Sequence, residues 1–473
     1  MPTRPCAGPV DDLEERSAMT TTHPVRPGEW FESGMGLDDI DAGQFRMTIS
    51  TDRYTDPDYV QRERDNIWLR VWQVAGREAE LPAVGDWKEY RLLDQSFLLV
   101  RGKDRTIRGF VNACRHRGNV LCNGKGNAKR GLLCQYHLWS YDLEGKLKGV
   151  LRQEENEVTA LDKDGLGLLP VSVECFAGFI FLNPDPDAAP LADFLGAEVM
   201  ELLSPYHLEE MVTVLDVREA LNCNWKVVMD AFEEGYHISG IHPELLQVVM
   251  IDPSTTRYRF FDKHSVSCAP FEVAGKKYGL EEQVEGIMGL PETFPSVTAV
   301  LPRFQELVAE NRDESGTLSL PEGATPRTLL QRATRETLTG MGFDVSALTD
   351  AQMSDNHGWV LFPNFFMTVR AGEATVILAQ PHESGDPNRC YWHIISVMWL
   401  PDEYKDALKA DRIDVTEPGG YKYFLALQQD YEQMPRQQRG LRNRRLDSMS
   451  LVKEEVVIAH YHSVVDRYLA GTS

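Results

Sequence analysis

The sequence predicts an α+β protein of two units in series: a small all-β domain, then a larger domain mixing strands and helices. Three observations predict it. Short alternating segments at 87–91, 96–100, 106–111 and 171–181 are separated by turn signals such as Gly85-Asp86 and Leu143-Glu144-Gly145. A breaker cluster, Asn183-Pro184-Asp185-Pro186-Asp187, follows them. Beyond it, strands and helices succeed one another without a strict βαβ alternation.

In chain order, residues 1–45 read as an N-terminal arm, its first part rich in Thr, Pro and charge and without sustained periodicity. Met19 is an alternative start to Met1. Residues 46–185 hold one helix and the β segments; Tyr59, Ile67, Trp68 and Val71 place the helix at 56–71. Residues 186–473 form the second unit. There 212–219 alternates like a strand, 225–236 reads as a helix, 375–379 and 393–399 as strands, and 421–434 as a helix. The polar, helix-leaning stretch near 280–350, with its many breakers, reads as an insertion.

The chain has 473 residues, 42% of them hydrophobic, enough for a sizeable core. Its net charge of −23 argues against nucleic acid or an anionic membrane surface as the main partner. No apolar run approaches the roughly 18 residues of a membrane span. The N-terminus lacks the apolar core of a secretory signal, and eight unevenly spaced cysteines do not make a disulfide scaffold, so the cytoplasm is the expected compartment.

Cys114-Arg115-His116 and Cys134-Gln135-Tyr136-His137, separated by 17 residues, are the sharpest local signal. Each hook offers one sulfur and one nitrogen. Zinc sites usually pair like with like, two cysteines and then two histidines. A [2Fe–2S] cluster in which two histidines replace two cysteines on one iron needs one of each from both hooks. Its neutral imidazoles reduce the negative charge and raise the reduction potential. A zinc site, and four residues that share this register without a metal, are the competing readings. Between the hooks, Gly124–Gly131 lacks the G-K-[ST] of a phosphate-binding loop and reads as a surface loop.

A second signal is His237 and His242, five apart, at and just beyond the expected end of the helix at 225–236. Two neutral histidines and a carboxylate form a facial triad that leaves positions on Fe(II) open for O₂ and substrate. H-x₄-H alone is a weak pattern, equally compatible with two unrelated histidines.

The flanks add to both signals. Cys114-Arg115-His116-Arg117-Gly118 and the run from Cys134 to Leu147 resemble the two loops of the Rieske domain. Asn224-Trp225-Lys226, a later aromatic, then Glu234, His237 and His242 resemble the mononuclear-iron segment of Rieske non-heme iron oxygenases. These are the terminal oxygenase (α) subunits of the aromatic-ring-hydroxylating superfamily. The resemblance runs from about residue 50 to the end of the chain.

The resemblance implies an all-β Rieske domain followed by a helix-grip (START-like) catalytic domain with an antiparallel sheet. It implies one [2Fe–2S] cluster per chain on Cys114, His116, Cys134 and His137, and one mononuclear Fe(II) on His237, His242 and Asp430. Asp430 is chosen because Gln428–Asn443 fits the family's late helix, with Glu432 as the alternative. Glu234 is implied to bridge a ligand histidine to a Rieske histidine of a neighbouring subunit and so carry the electron. Many ring-hydroxylating members carry aspartate there; members that oxidise quaternary ammonium substrates carry glutamate. The implied partners are O₂, a small organic substrate, a separate ferredoxin and/or flavin reductase, and two further copies in a homotrimer. The implied reaction is hydroxylation of an aromatic or other apolar substrate, with N- or O-dealkylation, including carnitine- or betaine-like substrates, as the alternative. A pure Rieske electron carrier and a zinc-stabilised binding protein are the rivals from other classes.

The other residues read as structural. Cys6, Cys122, Cys175, Cys223, Cys268 and Cys390 lack metal spacing; His460 and His462 point to different faces of a helix; Glu233 reads as an exposed carboxylate. Trp359, Phe362, Phe365, Phe366 and Met367 fit a substrate cavity and plain core equally. From Arg101 to Arg152, twelve basic residues stand against Asp104, Asp142 and Glu144, so a basic surface around the hooks lies within an acidic chain.

Overall fold

The structure is a computed structural model and describes residues 34–155, 163–242, 255–270, 278–292 and 294–472. Residues 1–33, with Met19 and Cys6, and Pro243 after the second histidine lie outside the described residues.

In the small domain, seven strands pair in the order Gln73–Arg77, Phe179–Asn183, Pro170–Phe176, Ile107–Val111, Gln95–Arg101, Asp86–Leu92 and Lys125–Asn127, all antiparallel. The single run expected at 171–181 is a hairpin, because Ala177 and Gly178 both take positive φ and reverse the chain. A three-stranded sheet of Leu132–Leu133, Ser140–Tyr141 and Leu147–Gly149 carries the second hook. Both hooks share one core with Leu98, Phe110, Trp139 and Leu143. Gly145, at φ +84, closes the turn at 143–145 and lies so close to the Phe110 ring that a Cβ there would clash.

The large domain is built on a nine-stranded sheet. It runs Met35–Gly36, Arg257–Phe260, Ser265–Ala269, Asn356–Leu361, Phe365–Arg370, Glu373–Pro381, Cys390–Met398, Val212–Leu221, Ile413–Val415; only the last pair is parallel. Alternation sorts the aromatic stretch between the two faces. Phe362 and Phe366 join the core that holds the helix Trp225–Phe232, while Trp359, Phe365 and Met367 face the other core with Trp72 and Phe179 of the small domain. All five are buried.

The helix Pro57–Glu63 continues as a π-type turn, Arg64–Trp68, and packs against the large domain: Trp68 meets Trp225 edge to face at 4.9 Å. Helices Leu280–Gly289, Leu301–Glu310 and Pro326–Gly340, within the stretch read as an insertion, enclose a small core of their own around Phe304, Leu307 and Leu330.

Candidate metal centres

The two hooks are the same local loop made twice. The Cys114 N–H donates to the Asn119 carbonyl and the Gly118 N–H to the Cys114 carbonyl, both at 2.8 Å. The Cys134 N–H donates to the Trp139 carbonyl at 2.9 Å and the Leu138 N–H to the Cys134 carbonyl at 3.0 Å. The residue four after each cysteine is left-handed: Gly118 at φ +73, Leu138 at φ +58. Each loop buries its sulfur and projects its histidine outward; Cys114 and Cys134 are buried while His116 is exposed. The imidazoles of His116 and His137 stand 4.6 Å apart between centroids, and Trp139 stacks under His116 at 4.9 Å.

This arrangement fits a binuclear cluster. Four ligands of one zinc ion would lie within about 4 Å of one another at zinc–ligand lengths of about 2.0–2.3 Å. Among the described residues, no three of these four bring their ligand atoms within 4.8 Å of each other. Sulfurs beneath and nitrogens above match two irons, one held by each pair. The sulfurs have polar partners: the Tyr141 hydroxyl lies 3.3 Å from Cys114 Sγ and the Asn119 amide 3.9 Å from Cys134 Sγ. Burial opposes ionisation of Cys134, but the backbone N–H groups of Tyr136 and His137 outweigh it and bring its thiol below the ordinary value. Burial keeps Cys114 above its own, and the neighbouring Cys134 sulfur adds to the rise.

In the large domain the structure brings His237, His242 and Asp430 together, their ligand atoms mutually within 4.8 Å. Asp430 Oδ1 lies 3.0 Å from His242 Nε2 and 3.7 Å from His237 Nε2. His237 Nδ1 is 2.6 Å from Glu234 Oε1, and the His237 backbone N–H donates to Glu234 Oε2 at 3.0 Å. His242 Nδ1 is 2.7 Å from Gln429 Oε1. A carboxylate or amide oxygen only accepts, so each Nδ1 donates to its partner, and a metal taking the place of any proton between His242 Nε2 and Asp430 Oδ1 would meet both Nε2 atoms at the shared centre. Two nitrogens and one carboxylate oxygen are the donor set of a mononuclear iron with open positions. Glu432 is exposed, near Arg436, and stays outside the group.

Local sequence explains the placement. The helix expected at 225–236 ends at Phe232; Gly235 follows, and His237 begins a short turn, Ile238–Ile241, that carries the chain to His242. Glu234 therefore reaches His237 across a bend instead of along a helical face. Asn224 caps the helix by accepting from the Lys226 N–H. Lys226 and the Trp225 indole both donate to buried Glu63, at 2.6 and 3.1 Å. Asp430 sits on the helix Leu425–Leu441, which starts four residues later than expected and runs through Pro435. Gln438 of that helix accepts from the Asn224 N–H at 3.0 Å, joining the helix that bears Asp430 to the cap of the helix that leads into the histidine turn.

Glu233 is corrected by the structure: it is 2% exposed, and neither carboxyl oxygen has a hydrogen-bond partner. Burial and the nearby Asp230 carboxylate push its pKa well above the ordinary range, so it is held neutral. As the residue capping the helix end it follows the backbone inward, which helical periodicity continued past Phe232 misses. Gln429 was also missed. Its signal was only its place beside Asp430. Cys122, Cys175, Cys223, Cys268 and Cys390 join neither centre; His460 and His462 bond the Phe261 carbonyl and the Tyr54–Asp230 pair.

Residues 204–471 match the family of the ring hydroxylating alpha subunit (catalytic domain), and residues 71–170 match the Rieske [2Fe-2S] domain. The carnitine monooxygenase oxygenase subunit of Escherichia coli (strain K12) is 35% identical over 212 residues, 44% of this chain and 56% of that protein. The glycine betaine monooxygenase oxygenase subunit of Chromohalobacter salexigens is 34% identical over 193 residues, covering 41% and 42%. The 2-aminobenzenesulfonate 2,3-dioxygenase subunit alpha of Alcaligenes sp is 33% identical over 187 residues, covering 39% and 47%. The matches thus span about half the length of these curated relatives. Among solved structures, naphthalene 1,2-dioxygenase with bound indole superposes with a TM-score of 0.65 at 19% identity, over 93% of this chain and 96% of that one. A quaternary ammonium Rieske monooxygenase with L-carnitine gives 0.61 at 19%, over 89% and 95%. Among the described residues no helix is long and apolar enough to cross a membrane. With its catalytic-domain match covering more than half its length behind a Rieske domain, the chain belongs to the ring-hydroxylating α-subunit family of Rieske non-heme iron oxygenases.

Proposed function

We propose that the chain is the terminal oxygenase of a Rieske system, using O₂ and electrons from a separate ferredoxin and/or flavin reductase to oxidise a small organic substrate. The observation that carries this is the presence in one chain of the paired sulfur–nitrogen hooks and the two-histidine, one-carboxylate group. When bound, the cluster supplies electrons one at a time and the mononuclear iron supplies O₂ activation. Cys114 and Cys134 would hold one iron of the cluster as thiolates, and His116 and His137 would hold the other. His237, His242 and Asp430 would hold the mononuclear iron. Glu234 and Gln429 fix the tautomers of the two ligand histidines.

Glu234 also faces a cavity of about 300 Å³ lined by Asp230, Gln437, Ser450 and Glu455. An opening on that side supports a homotrimer in which a neighbour's Rieske histidine approaches Glu234. Exposed Arg117, Lys129 and Arg130 beside the hooks support docking of an acidic electron donor there. Of the two substrate classes, hydroxylation of an aromatic or other apolar compound is the broader. The second reading, oxidation of a quaternary ammonium compound, is favoured by the carnitine and glycine betaine relatives and by glutamate at position 234.

The test is an O₂-uptake screen with a surrogate reductase, run with iron analysis. Three irons per chain and uptake induced by an aromatic or quaternary ammonium compound are expected. Two irons, with reversible reduction but no uptake, would leave an electron carrier. In the same assay Glu234→Gln keeps all three irons and slows reoxidation of the cluster; normal turnover would remove the bridging role.

A further inference from the structure

One buried carboxylate plays no part in the two centres. Glu219, on the strand Val212–Leu221, is fully buried, and no ion pair to it exists among the described residues. Its partners are the Tyr423 hydroxyl, donating to Oε2 at 2.7 Å, the Tyr431 hydroxyl, donating to Oε1 at 3.0 Å, and the Gly419 and Gly420 N–H groups. The Tyr423 oxygen in turn accepts from the Trp392 indole N–H at 2.9 Å. Indole N–H, phenol and carboxylate therefore form one directed chain.

The rings of this network form a continuous path. Tyr431 follows Asp430 directly and lies 5.6 Å from both Trp392 and Tyr423. Trp392 and Tyr423 are 4.8 Å apart, and Tyr421, half-buried at the surface, is 4.9 Å beyond Tyr423. These spacings are ring contacts from Tyr431 to the surface, and Tyr431 is joined to the triad's aspartate through the helix backbone. Tryptophan and tyrosine are the side chains most easily oxidised by one electron at such contacts, and a phenol is oxidised readily only if its proton has an acceptor. Glu219 is that acceptor for Tyr423.

We infer that Trp392, Tyr423 and Tyr421, with Glu219 as proton acceptor, form a radical relay that drains oxidising equivalents from the iron site to the surface when O₂ is reduced without substrate. The inference rests on the oxygenase reading only for the source of the oxidant, a one-electron oxidant of the peroxide-derived class. An electron leaves the Trp392–Tyr423 pair for that oxidant, the Tyr423 O–H bond breaks, and its proton passes to Glu219 Oε2. Tyr421 then supplies an electron to Tyr423 while Glu219 returns the proton. Tyr421 loses its own proton to water and ends as a surface phenoxyl radical, which a solution thiol reduces by hydrogen-atom transfer. The function is protective: without the relay, oxidation falls on the residues around the triad.

Two arms test it on the full chain with its cluster kept oxidised. In the first, a photo-excited tris(bipyridine)ruthenium(II) complex with persulfate as electron acceptor oxidises protein that keeps its cluster but has been stripped of mononuclear iron. EPR is expected to show a tyrosyl radical at Tyr421 that Tyr421→Phe abolishes. In the second, iron-loaded protein without substrate is treated with hydrogen peroxide and a nitroso spin trap, and peptides are mapped by mass spectrometry. Tyr421 is expected to carry the adduct. Tyr423→Phe, which keeps the ring, abolishes it and increases oxidation at and near His237 and His242. The surface variant Tyr421→Phe should lose the adduct while folding is untouched. No Tyr421-dependent tyrosyl radical in the first arm, or an undiminished Tyr421 adduct in Tyr423→Phe, overturns the relay. A relay signal in the first arm with no iron bound in the second removes the oxygenase reading and leaves the relay.

Discussion

In the small domain both hooks repeat one loop, closed by hydrogen bonds within six residues, whereas in the large domain the ligands come from segments nearly two hundred residues apart. Each hook is closed locally: the Cys114 N–H to Asn119 and Cys134 N–H to Trp139 bonds join residues five apart in the chain. His242 and Asp430 are brought together across the fold, where Gln438 ties the helix bearing Asp430 to the cap of the helix before the histidine turn and Glu63 anchors that helix's first turn through Lys226. The difference teaches where each centre is vulnerable. The hooks fail by local change; the triad fails by any change that lets its two helices shift.

The largest expected effect separates the two centres outright. His237→Ala or Asp430→Ala should abolish turnover and remove the mononuclear iron while the EPR signal of the reduced cluster persists. Cys134→Ser should bleach the visible absorption of the cluster and leave mononuclear iron countable by metal analysis. Loss of both centres in either variant would mean that the regions fold as one unit. A smaller effect is expected from Gln429→Leu. It removes the acceptor that fixes the His242 tautomer and leaves every ligand in place, so iron affinity should fall by about 10–100-fold. Gln429→Glu, which keeps the acceptor, should restore most of it; equilibrium dialysis against a chelator reads both.

The same contrast explains what was legible in the sequence. The hooks could be read from residue type and spacing because their geometry is local. His237 and His242 formed a weak pattern until the flanking Asn224-Trp225-Lys226 was added, and Asp430 came only from the family resemblance, since no local rule links residues so far apart. The strands around the hooks and the sheet positions of 375–379 and 393–399 followed from alternation. Glu233 did not: extending the helix to 236 placed it on a solvent face, whereas the chain turns at 233–237 and buries it. Gln429 was invisible because nothing in its own neighbourhood shows that an imidazole from a distant segment lands beside it.

Glu233 supplies the next test of the large domain. Its raised folded pKa means that folding takes up a proton above the ordinary carboxyl range. This contribution is fully present below about pH 4.3, the ordinary pKa of an unfolded glutamate, and is lost as pH rises toward the folded value. Stability should therefore fall by up to about 1.4 kcal/mol per pH unit from this group across that window. Glu233→Gln should flatten the slope and raise the Tm at neutral and alkaline pH, read by denaturation at several pH values. An unchanged slope would mean that Glu233 is ionised in the folded protein and has a cation beside it.

The smallest effects probe the local loops. Gly118 and Leu138 hold equivalent left-handed positions, but only one is glycine. A Cβ at Gly118 would meet no atom within 4 Å, so Gly118→Ala changes little but backbone energy. The left-handed conformation costs a non-glycine residue about 1–2 kcal/mol, and the reduced freedom of the unfolded chain returns about 0.5–1 kcal/mol. A net loss of roughly 1 kcal/mol should appear as a small fall in the Tm of the cluster-loaded protein. Leu138→Gly is the reverse change without being its mirror image. It relieves the same strain, forfeits little from a leucine side chain that is exposed, and adds unfolded-state freedom. The result should lie near zero. If Leu138→Gly instead costs as much as a core truncation, the second hook is held by contacts of the Leu138 side chain, and the two loops are alike in hydrogen bonding but not in what keeps them closed.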